Sequence, residues 1–221
     1  EVPWIDIKEE SNMLYESYNI CGLEFVFDSA CEDEIVKTLR QTGRCPHWAC
    51  VSCVRTLFDR ISSMSYMTAK LISQSSVIVD IGCHIGTYSL PLAKQGHSLI
   101  SIDGSVDSIA CLEEAKKRNN IENIVTFNKI ISNNEHSCTF NPKSSAYSAM
   151  DDHAASKDIQ TTTTVDRLFS SELSDVSQCN IIKIDIEGYE SEAIEGAVDT
   201  IAKYKPLLLL EINNLCLHNR H

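Results

Sequence analysis

Residues 77–88 have the sequence Val-Ile-Val-Asp-Ile-Gly-Cys-His-Ile-Gly-Thr-Tyr, a β-branched run followed by a turn with two glycines. The run from Val77 to Ile81 is typical of a strand buried on both faces, and the residues after the turn predict a helix. Gly82 permits a tight turn and close approach of a ligand, and Gly86 permits tight packing of the helix. The free N–H groups at the start of that helix favour a polar ligand. The stretch therefore predicts a binding turn in an α/β fold.

Four more short aliphatic runs follow this one, at residues 99–102, 124–130, 181–186 and 207–212. Helical stretches lie between them, notably at residues 106–119 and 190–203. The alternation predicts a mostly parallel sheet with right-handed crossovers and helices on both faces. Residues 159–165, with four consecutive threonines, predict an extra strand before a turn at 166–169, and residues 141–158 predict a long loop.

Residues 1–75 predict a mostly helical cap in front of this domain, which then comprises residues 76–221. The pattern favours helices at residues 32–41, 46–61 and 66–72. A short strand is expected at residues 23–27. The chain ends at residue 221, soon after the fifth predicted strand, so we expect either truncation or a different sheet edge.

The composition is that of an ordinary globular domain, with 43% hydrophobic and 23% charged residues among 221. A formal net charge of -12 argues against a nucleic-acid partner held by general electrostatics. The longest aliphatic run, Leu207–Leu210, is far shorter than the roughly 20 apolar residues that span a bilayer. We therefore expect no nucleic-acid partner and no membrane span in this chain.

Ten cysteines are more than most cytosolic domains carry, and they favour the secretory pathway slightly. The sequence has no N-glycan acceptor, which weighs against that location and leaves it open. The segment with Cys45, His47, Cys50 and Cys53 leaves a zinc site, a disulfide and plain packing as alternatives. No second Cys/His pair stands at zinc-ribbon spacing.

The second aliphatic run ends in a carboxylate, Asp103. An acid at this strand end, about 20 residues beyond the glycine turn, can accept both hydroxyls of a ribose. The alternative is that Asp103 caps the next helix. His84 stands where the dinucleotide fingerprint has its middle glycine, which disfavours a pyrophosphate ligand and a nucleotide-dependent oxidoreductase. The glycine turn and Asp103 together favour adenosine binding.

Several segments, in this order, resemble the FkbM family of S-adenosylmethionine-dependent methyltransferases over about residues 77–212. They are Asp80-Ile81-Gly82-x-x-Ile85-Gly86, Asp103, Thr164-Val165-Asp166-Arg167-Leu168, Lys183-Ile184-Asp185-Ile186-Glu187-Gly188-Tyr189-Glu190 and Gly196-Ala197. The resemblance implies a class I methyltransferase (Rossmann-like) fold with a seven-stranded, mostly parallel sheet. It also implies S-adenosyl-L-methionine as cofactor and methyl transfer, usually to a hydroxyl oxygen.

The resemblance implies site residues as well. Asp103 would hold the ribose of the cofactor. The other cofactor-binding positions, toward its methionine end and beside the ribose, would be Asp80, Gly82, Cys83, Ile85, Gly86 and Gly104. The family commonly has Glu-Pro where this chain has Asp103-Gly104, and Ala-Asn where it has Cys83-His84, so the carboxylate at position 103 has a shorter reach.

The run at residues 181–187 places Lys183, Asp185 and Glu187 on one face of a central strand. Buried charges need partners, so we expect an ion pair between Lys183 and Asp185. Ligands bind at the carboxyl ends of such strands, which makes Asp185 and Glu187 the candidate catalytic residues. They would stabilise the sulfonium, orient the acceptor hydroxyl or take its proton. The alternative is that both are structural, pairing with Lys183 and capping the helix that starts near Tyr189. Glu211 is a weaker candidate.

These observations predict O-methylation of a hydroxyl on a saccharide or small molecule, with the N-terminal helices and the 141–158 loop shaping the acceptor pocket. No metal is expected, because methyl transfer from a sulfonium requires none and no paired Asp cluster specifies one. The alternative is a catalytically inactive binding module with the same fold in the secretory pathway. The oligomeric state stays open.

Overall fold

The computed structural model of the protein describes residues 8–10, 13–20, 22–30, 36–37, 75–139 and 159–211. The strands are β1 (Lys8–Glu10), β2 (Met13–Ile20), β3 (Leu23–Asp28), β4 (Val77–Ile81), β5 (Ser98–Asp103), β6 (Ile124–Asn128), β7 (Ile130–Ile131), β8 (Ser137–Thr139), β9 (Ile159–Thr163), β10 (Ile181–Ile184) and β11 (Leu207–Leu210). The helices are α1 (Ser89–Lys94), α2 (Val106–Asn119), α3 (Val165–Ser170), α4 (Glu190–Glu195) and α5 (Val198–Tyr204). Among the described helices, none combines the length and apolar character needed to cross a membrane.

The central sheet has the strand order β11-β10-β4-β5-β6, and each neighbouring pair is parallel. The chain builds β5 and β6 on one side of β4 and then returns to place β10 and β11 on the other side. The connections after β4 and β10 therefore diverge at one edge of the sheet, where open α/β sheets bind ligands. This topology confirms the predicted mostly parallel sheet.

Alternate residues of the central strands pack on opposite faces, as the period of a strand requires. Ile78 lies in one core together with Leu112 of α2. Val79 and Ile182 lie in the other, against Leu168 of α3. Helices therefore cover both faces, as predicted, and full burial of each such side chain contributes about 1.5–3 kcal/mol.

The N-terminal strands form a separate antiparallel sheet with the order β1-β2-β3. The strand predicted at residues 23–27 is confirmed as β3. The mostly helical cap is a wrong prediction for residues 8–28, because the aromatic and β-branched side chains here favour strands. Tyr18 and Phe27, for example, stack across β2 and β3 with ring centroids 5.4 Å apart. The helices predicted at 46–61 and 66–72 lie outside the described residues, and the boundary at residue 75 stays a prediction.

This N-terminal sheet is attached to α2. The side-chain amide of Asn119 accepts from the backbone N–H of Glu24 at 2.8 Å and donates to its carbonyl at 2.7 Å, as a neighbouring strand would. Arg118 forms an ion pair with the Glu24 carboxylate at 2.7 Å. Tyr15 and Phe25 of the sheet are buried in the same core as α2. The N-terminal sheet and the α/β domain therefore share one hydrophobic core.

A third, small sheet has the order β7-β9-β8. Because of this sheet, the run at 124–130 forms two strands, β6 and β7. The backbone N–H of Lys129 still donates to the carbonyl of Asp103, and the chain then leaves the central sheet for the small one. The strand predicted at 159–165 is confirmed as β9, although it belongs to this small sheet. The predicted 141–158 loop lies outside the described residues.

The helix predicted over residues 190–203 is interrupted at Gly196, where a Cβ would clash with the carbonyl oxygen of Ser132. The carboxylate of Asp166 then caps the second half, α5, from the start of α3. Its two oxygens accept from the backbone N–H groups of Asp199 at 3.0 Å and Thr200 at 2.7 Å. Asp166 therefore lies in a helix rather than in the predicted turn, and it holds two helices together.

Replacing Asp166 with Ala removes this cap, and we expect it to lower the free energy of unfolding by about 1–2 kcal/mol, the usual cost of losing a helix cap. Urea denaturation monitored by circular dichroism measures the change. Asp175→Ala is the matched control, since Asp175 is exposed and loses the same charge. Equal destabilisation by the two substitutions would contradict the capping role.

Candidate functional site

The turn after β4 is closed by its neighbours in the sheet. The backbone N–H groups of Gly82 and Cys83 both donate to the carbonyl of Ile102 in β5, at 2.8 and 3.1 Å. Gly82 has a φ of +77°, and a Cβ at this position would clash with the carbonyl oxygen of Asp185. The close approach that requires glycine is thus made to the protein backbone beyond β10. The tight turn predicted from the sequence is confirmed.

Asp103, at the end of β5, accepts two hydrogen bonds from backbone. The N–H of His84 donates to Oδ2 and that of Ser105 donates to Oδ1, both at 2.8 Å. Burial raises the pKa of Asp103, against the lowering effect of these hydrogen bonds. Each carboxylate oxygen has a further lone pair, so the group can still accept ribose hydroxyls. Asp103 holds the glycine turn in place and remains the predicted ribose ligand.

The other predicted cofactor residues present backbone rather than side chains. Cys83 and Ile85 are 2% exposed and pack in the core, and burial raises the pKa of the Cys83 thiol well above its usual value. Gly86 packs against Leu112 of α2, so the predicted tight packing is confirmed. The carbonyl of Gly104 accepts a hydrogen bond from the Asn128 side chain at 3.0 Å. Contacts of these residues with a cofactor would have to be made by main-chain atoms.

Lys183 lies at the centre of a buried polar network. Its Nζ atom is 3.0 Å from Asp80 Oδ1 and 3.4 Å from Asp185 Oδ2, and it donates to the Gly82 carbonyl at 3.0 Å. The predicted ion pair with Asp185 is therefore confirmed, with Asp80 as an additional partner. The other oxygen of Asp80 accepts from the hydroxyl of Ser89 at 2.7 Å. Asp80 is 1% exposed, and it contacts the turn through Lys183, which donates to the Gly82 carbonyl.

Three carboxylates converge where β10 and β11 end. Because Ile184 and Leu210 are paired in register, the residues that follow them, Asp185 and Glu211, lie side by side. Single carboxylate oxygens of Asp185, Glu187 and Glu211 all lie within 4.8 Å of one another. Glu211 was a weaker candidate for a catalytic residue in the sequence. The register of β10 and β11 is the signal that could have placed it beside Asp185.

The two adjacent carboxyl groups differ in proton affinity. Burial raises the pKa of Asp185, but the charge of Lys183 and a hydrogen bond from Glu211 outweigh burial, so the net shift is downward. The hydrogen bond to Asp185, together with burial, raises the pKa of Glu211 to about 8. Near neutral pH, Glu211 therefore holds a proton that it donates to the Asp185 carboxylate. Oxygen atoms this close could also hold a metal ion, a possibility that the sequence did not indicate.

The turn between β10 and α4 is held by Glu190. Its carboxylate accepts from the N–H groups of Ile186 at 3.0 Å and Gly188 at 3.1 Å, which keeps Glu187 at a φ of +55°. Tyr189, the residue preceding α4, makes no side-chain capping hydrogen bond. The structural alternative for Asp185 and Glu187 stays a prediction, and Asp185 does pair with Lys183 as it requires. The role of Glu190 was not predicted.

The zinc and disulfide alternatives for the segment from Cys45 to Cys53 lie outside the described residues. Four other cysteines are described, and each is buried: Cys83, Cys111, Cys138 and Cys179. Buried cysteines of this kind are accounted for by packing.

Replacing Gly82 with Ala adds a backbone clash to an unfavourable φ. The matched control is Gly96→Ala, because Gly96 has a φ of +96° but no atom within 4 Å of its added Cβ. We expect roughly 1–2 kcal/mol of destabilisation for the control and at least about 2 kcal/mol more for Gly82→Ala. Thermal and urea denaturation measure both. Equal effects would contradict the close contact with Asp185.

Glu211→Gln tests the raised pKa of Glu211, which is about 8. The folded protein keeps this proton up to about pH 8, whereas the unfolded chain releases it near the ordinary value of 4.5. The free energy of unfolding therefore falls as pH rises between these values. Above pH 8, the stability that this proton contributes is lost completely. We expect Glu211→Gln to show a smaller fall in melting temperature from pH 5 to pH 9 than the unsubstituted chain.

Glu122→Gln is the control for this series, since Glu122 is exposed and lies outside the group of Asp185, Glu187 and Glu211. Its melting temperatures should follow those of the unsubstituted chain. If the melting temperature of Glu211→Gln fell with pH as steeply as that of the control and of the unsubstituted chain, the proton shared by Glu211 and Asp185 would be contradicted.

The chain matches a known protein family. The family model described as "Methyltransferase FkbM domain" matches residues 80–215, more than half of the chain. An uncharacterised protein of Haemophilus influenzae is 32% identical over 63 residues, which are 28% of this chain and 24% of that protein. The 23S rRNA (uracil(1939)-C(5))-methyltransferase RlmD of Aeromonas salmonicida is 35% identical over 51 residues, 23% of this chain and 12% of that enzyme. The matched segments thus span a quarter or less of these relatives.

Solved structures show more extensive but weaker similarity. A SAM-dependent methyltransferase from Agrobacterium tumefaciens matches with a TM-score of 0.49 and 13% identity, over 95% of this chain and 60% of that one. The T. thermophilus 16S rRNA N2 G1207 methyltransferase RsmC, in complex with AdoMet and guanosine, matches with a TM-score of 0.44 and 11% identity, over 98% and 53%. The expectation that nucleic acid is not a partner stays a prediction.

Proposed function

The chain belongs to the methyltransferase FkbM domain family, and from this premise we propose that it transfers the methyl group of S-adenosyl-L-methionine to a hydroxyl oxygen of a saccharide or small molecule. The observation that carries the proposal is the convergence of three features on one sheet edge. These are the glycine turn, the Asp103 carboxylate and the acidic group of Asp185, Glu187 and Glu211.

The donor set fits the cofactor from end to end. The Asp103 carboxylate can accept from a ribose diol, and the turn from Gly82 to Gly86 can present main-chain atoms to the middle of the molecule. Beyond the turn, the carboxylates of Asp185 and Glu187 suit a cation. S-adenosylmethionine carries both a diol and a sulfonium, and when bound it supplies an electrophilic methyl group. A dinucleotide would instead require its phosphates at the position of His84.

The protein side of the reaction consists of alignment and proton transfer. With the methyl group supplied by bound S-adenosylmethionine, the residues at this edge would hold the acceptor hydroxyl in line with it and receive the proton that the hydroxyl releases. A carboxylate at the Asp185 end accepts that proton or orients the hydroxyl for in-line attack. The pKa of Asp185 is lowered, so this group is ionised at neutral pH and available for either task.

The charge of the site favours a neutral acceptor. Three carboxyl groups meet there, of which Glu211 holds a proton near neutral pH, and the cation that pairs with Asp185, Lys183, is already shared with Asp80. A phosphate or carboxylate near the acceptor oxygen would be repelled by this group. A hydroxyl of a sugar or of an uncharged small molecule meets no such repulsion. Exclusion of nucleic acids as acceptors stays a prediction on the same electrostatic ground.

Titration of S-adenosylmethionine by calorimetry tests the cofactor site, with Asp103→Asn as the variant. The substitution keeps the size of the side chain and removes the charge that accepts ribose hydroxyls. We expect the dissociation constant to rise at least about tenfold, which corresponds to about 1.4 kcal/mol.

Asp107→Asn is the matched control, because Asp107 is exposed in the first turn of α2 and loses the same charge. It should bind like the unsubstituted chain. An unsubstituted, folded chain that does not bind the cofactor would overturn the methyltransferase proposal and favour an inactive binding module. Equally weakened cofactor binding in both variants would contradict the ribose contact of Asp103, but not the methyltransferase proposal.

A further inference from the structure

Lys183 is a buried cation that the proposed chemistry does not use. It is 9% exposed, and its ammonium is surrounded by the Asp80 and Asp185 carboxylates, the Gly82 carbonyl and the ring of Tyr88, whose centroid is 4.8 Å away. Burying an ammonium group is costly unless its protons are all used. Asp80 alone would leave protons of this ammonium without acceptors. The Gly82 carbonyl and the Asp185 carboxylate supply the further acceptors.

These contacts connect the two ends of the proposed site. Gly82 belongs to the turn that faces the cofactor, and Asp185 lies at the reaction end, on a different strand. Lys183 donates to the first at 3.0 Å and is 3.4 Å from the second. A displacement of the ammonium would alter both positions, because one group holds both.

We propose that Lys183 is a positioning residue: its ammonium fixes the glycine turn against β10 and holds the Asp185 carboxylate at its place beside that turn. The inference rests on the proposed function, since it assigns Lys183 a part in binding and proton transfer at the same site. It does not make Lys183 a group that touches the substrate.

The charges around Asp185 come from every side of this site. Lys183 and Glu187 belong to its own segment, and His84 contributes from the glycine turn. Tyr88 precedes α1, and Glu211 follows β11. Only Lys183 makes an ion pair with Asp185 among the described residues. Its removal should therefore raise the proton affinity of the carboxyl pair.

The test compares Asp80→Asn with the double variant Asp80→Asn/Lys183→Met. Lys183→Met alone would leave Asp80 buried without a cation, and such a chain can fail to fold. The double variant removes the buried charges together, so it keeps a neutral core. Asp80→Asn is its reference, because any change that comes from Asp80 appears in both. A purely structural lysine, needed only to neutralise Asp80, would be dispensable in this background.

The first readout is the titration of carboxyl carbons in 13C-labelled protein, assigned with Asp185→Asn and Glu211→Gln. In Asp80→Asn, Asp185 should titrate below its ordinary range. In the double variant its titration should move upward by at least about one pH unit, because a nearby opposite charge is lost. This measurement requires no cofactor.

The second readout is the affinity for S-adenosylmethionine, which we expect to fall at least about fivefold from Asp80→Asn to the double variant, about 1 kcal/mol. A folded double variant with the Asp185 titration and the cofactor affinity of Asp80→Asn would overturn the positioning role. Failure of the unsubstituted chain to bind cofactor would instead count against the proposed function, while the carboxyl titration still decides the role of Lys183.

Discussion

The contact between the glycine turn and the segment beyond β10 is the constraint on which the site depends. Gly82 lies so close to the Asp185 carbonyl that no side chain fits between them, and the Lys183 ammonium bonds to the same turn from below. Two loops that follow strands far apart in sequence are thereby held as one unit. At this edge of the sheet the backbones of the two loops, and not only their side chains, are in contact.

This constraint decides where charge lies. β4 and β10 are adjacent and in register, so the carboxylates that follow β10 and β11 gather beside the turn, while Asp103 lies on its other side. In the proposed function, Asp103 would bind the ribose diol at one end of the turn, and the carboxyl groups at the other end would face the sulfonium. Asp80 and Lys183 supply the support beneath the turn. An S-adenosylmethionine-dependent methyl transfer is the chemistry that this distribution suits.

Sequence patterns predicted the parts of this architecture that depend on local periodicity. The five central strands followed from β-branched or leucine-rich runs, and the Lys183–Asp185 pair followed from the period of a strand. α2 followed from the helical stretch at residues 106–119. Tertiary contacts decided the rest. The break at Gly196 depends on the distant Ser132 carbonyl, and the carboxyl pair depends on the register of β10 and β11. Of the N-terminal sheet, only the strand at 23–27 was predicted. β1 and β2 were missed although the side chains of β2 favour a strand, and the attachment of this sheet to α2 depends on tertiary contacts.

We expect the cofactor to lie across the glycine turn, between Asp103 and Asp185. A crystal structure of the chain in complex with S-adenosylhomocysteine would show its position. We expect ribose hydroxyls within about 3.2 Å of the Asp103 carboxylate and the sulfur on the Asp185 side of the turn. A ligand bound away from the turn, or one with its ribose at the Asp185 end, would show that the proposed cofactor site is wrong.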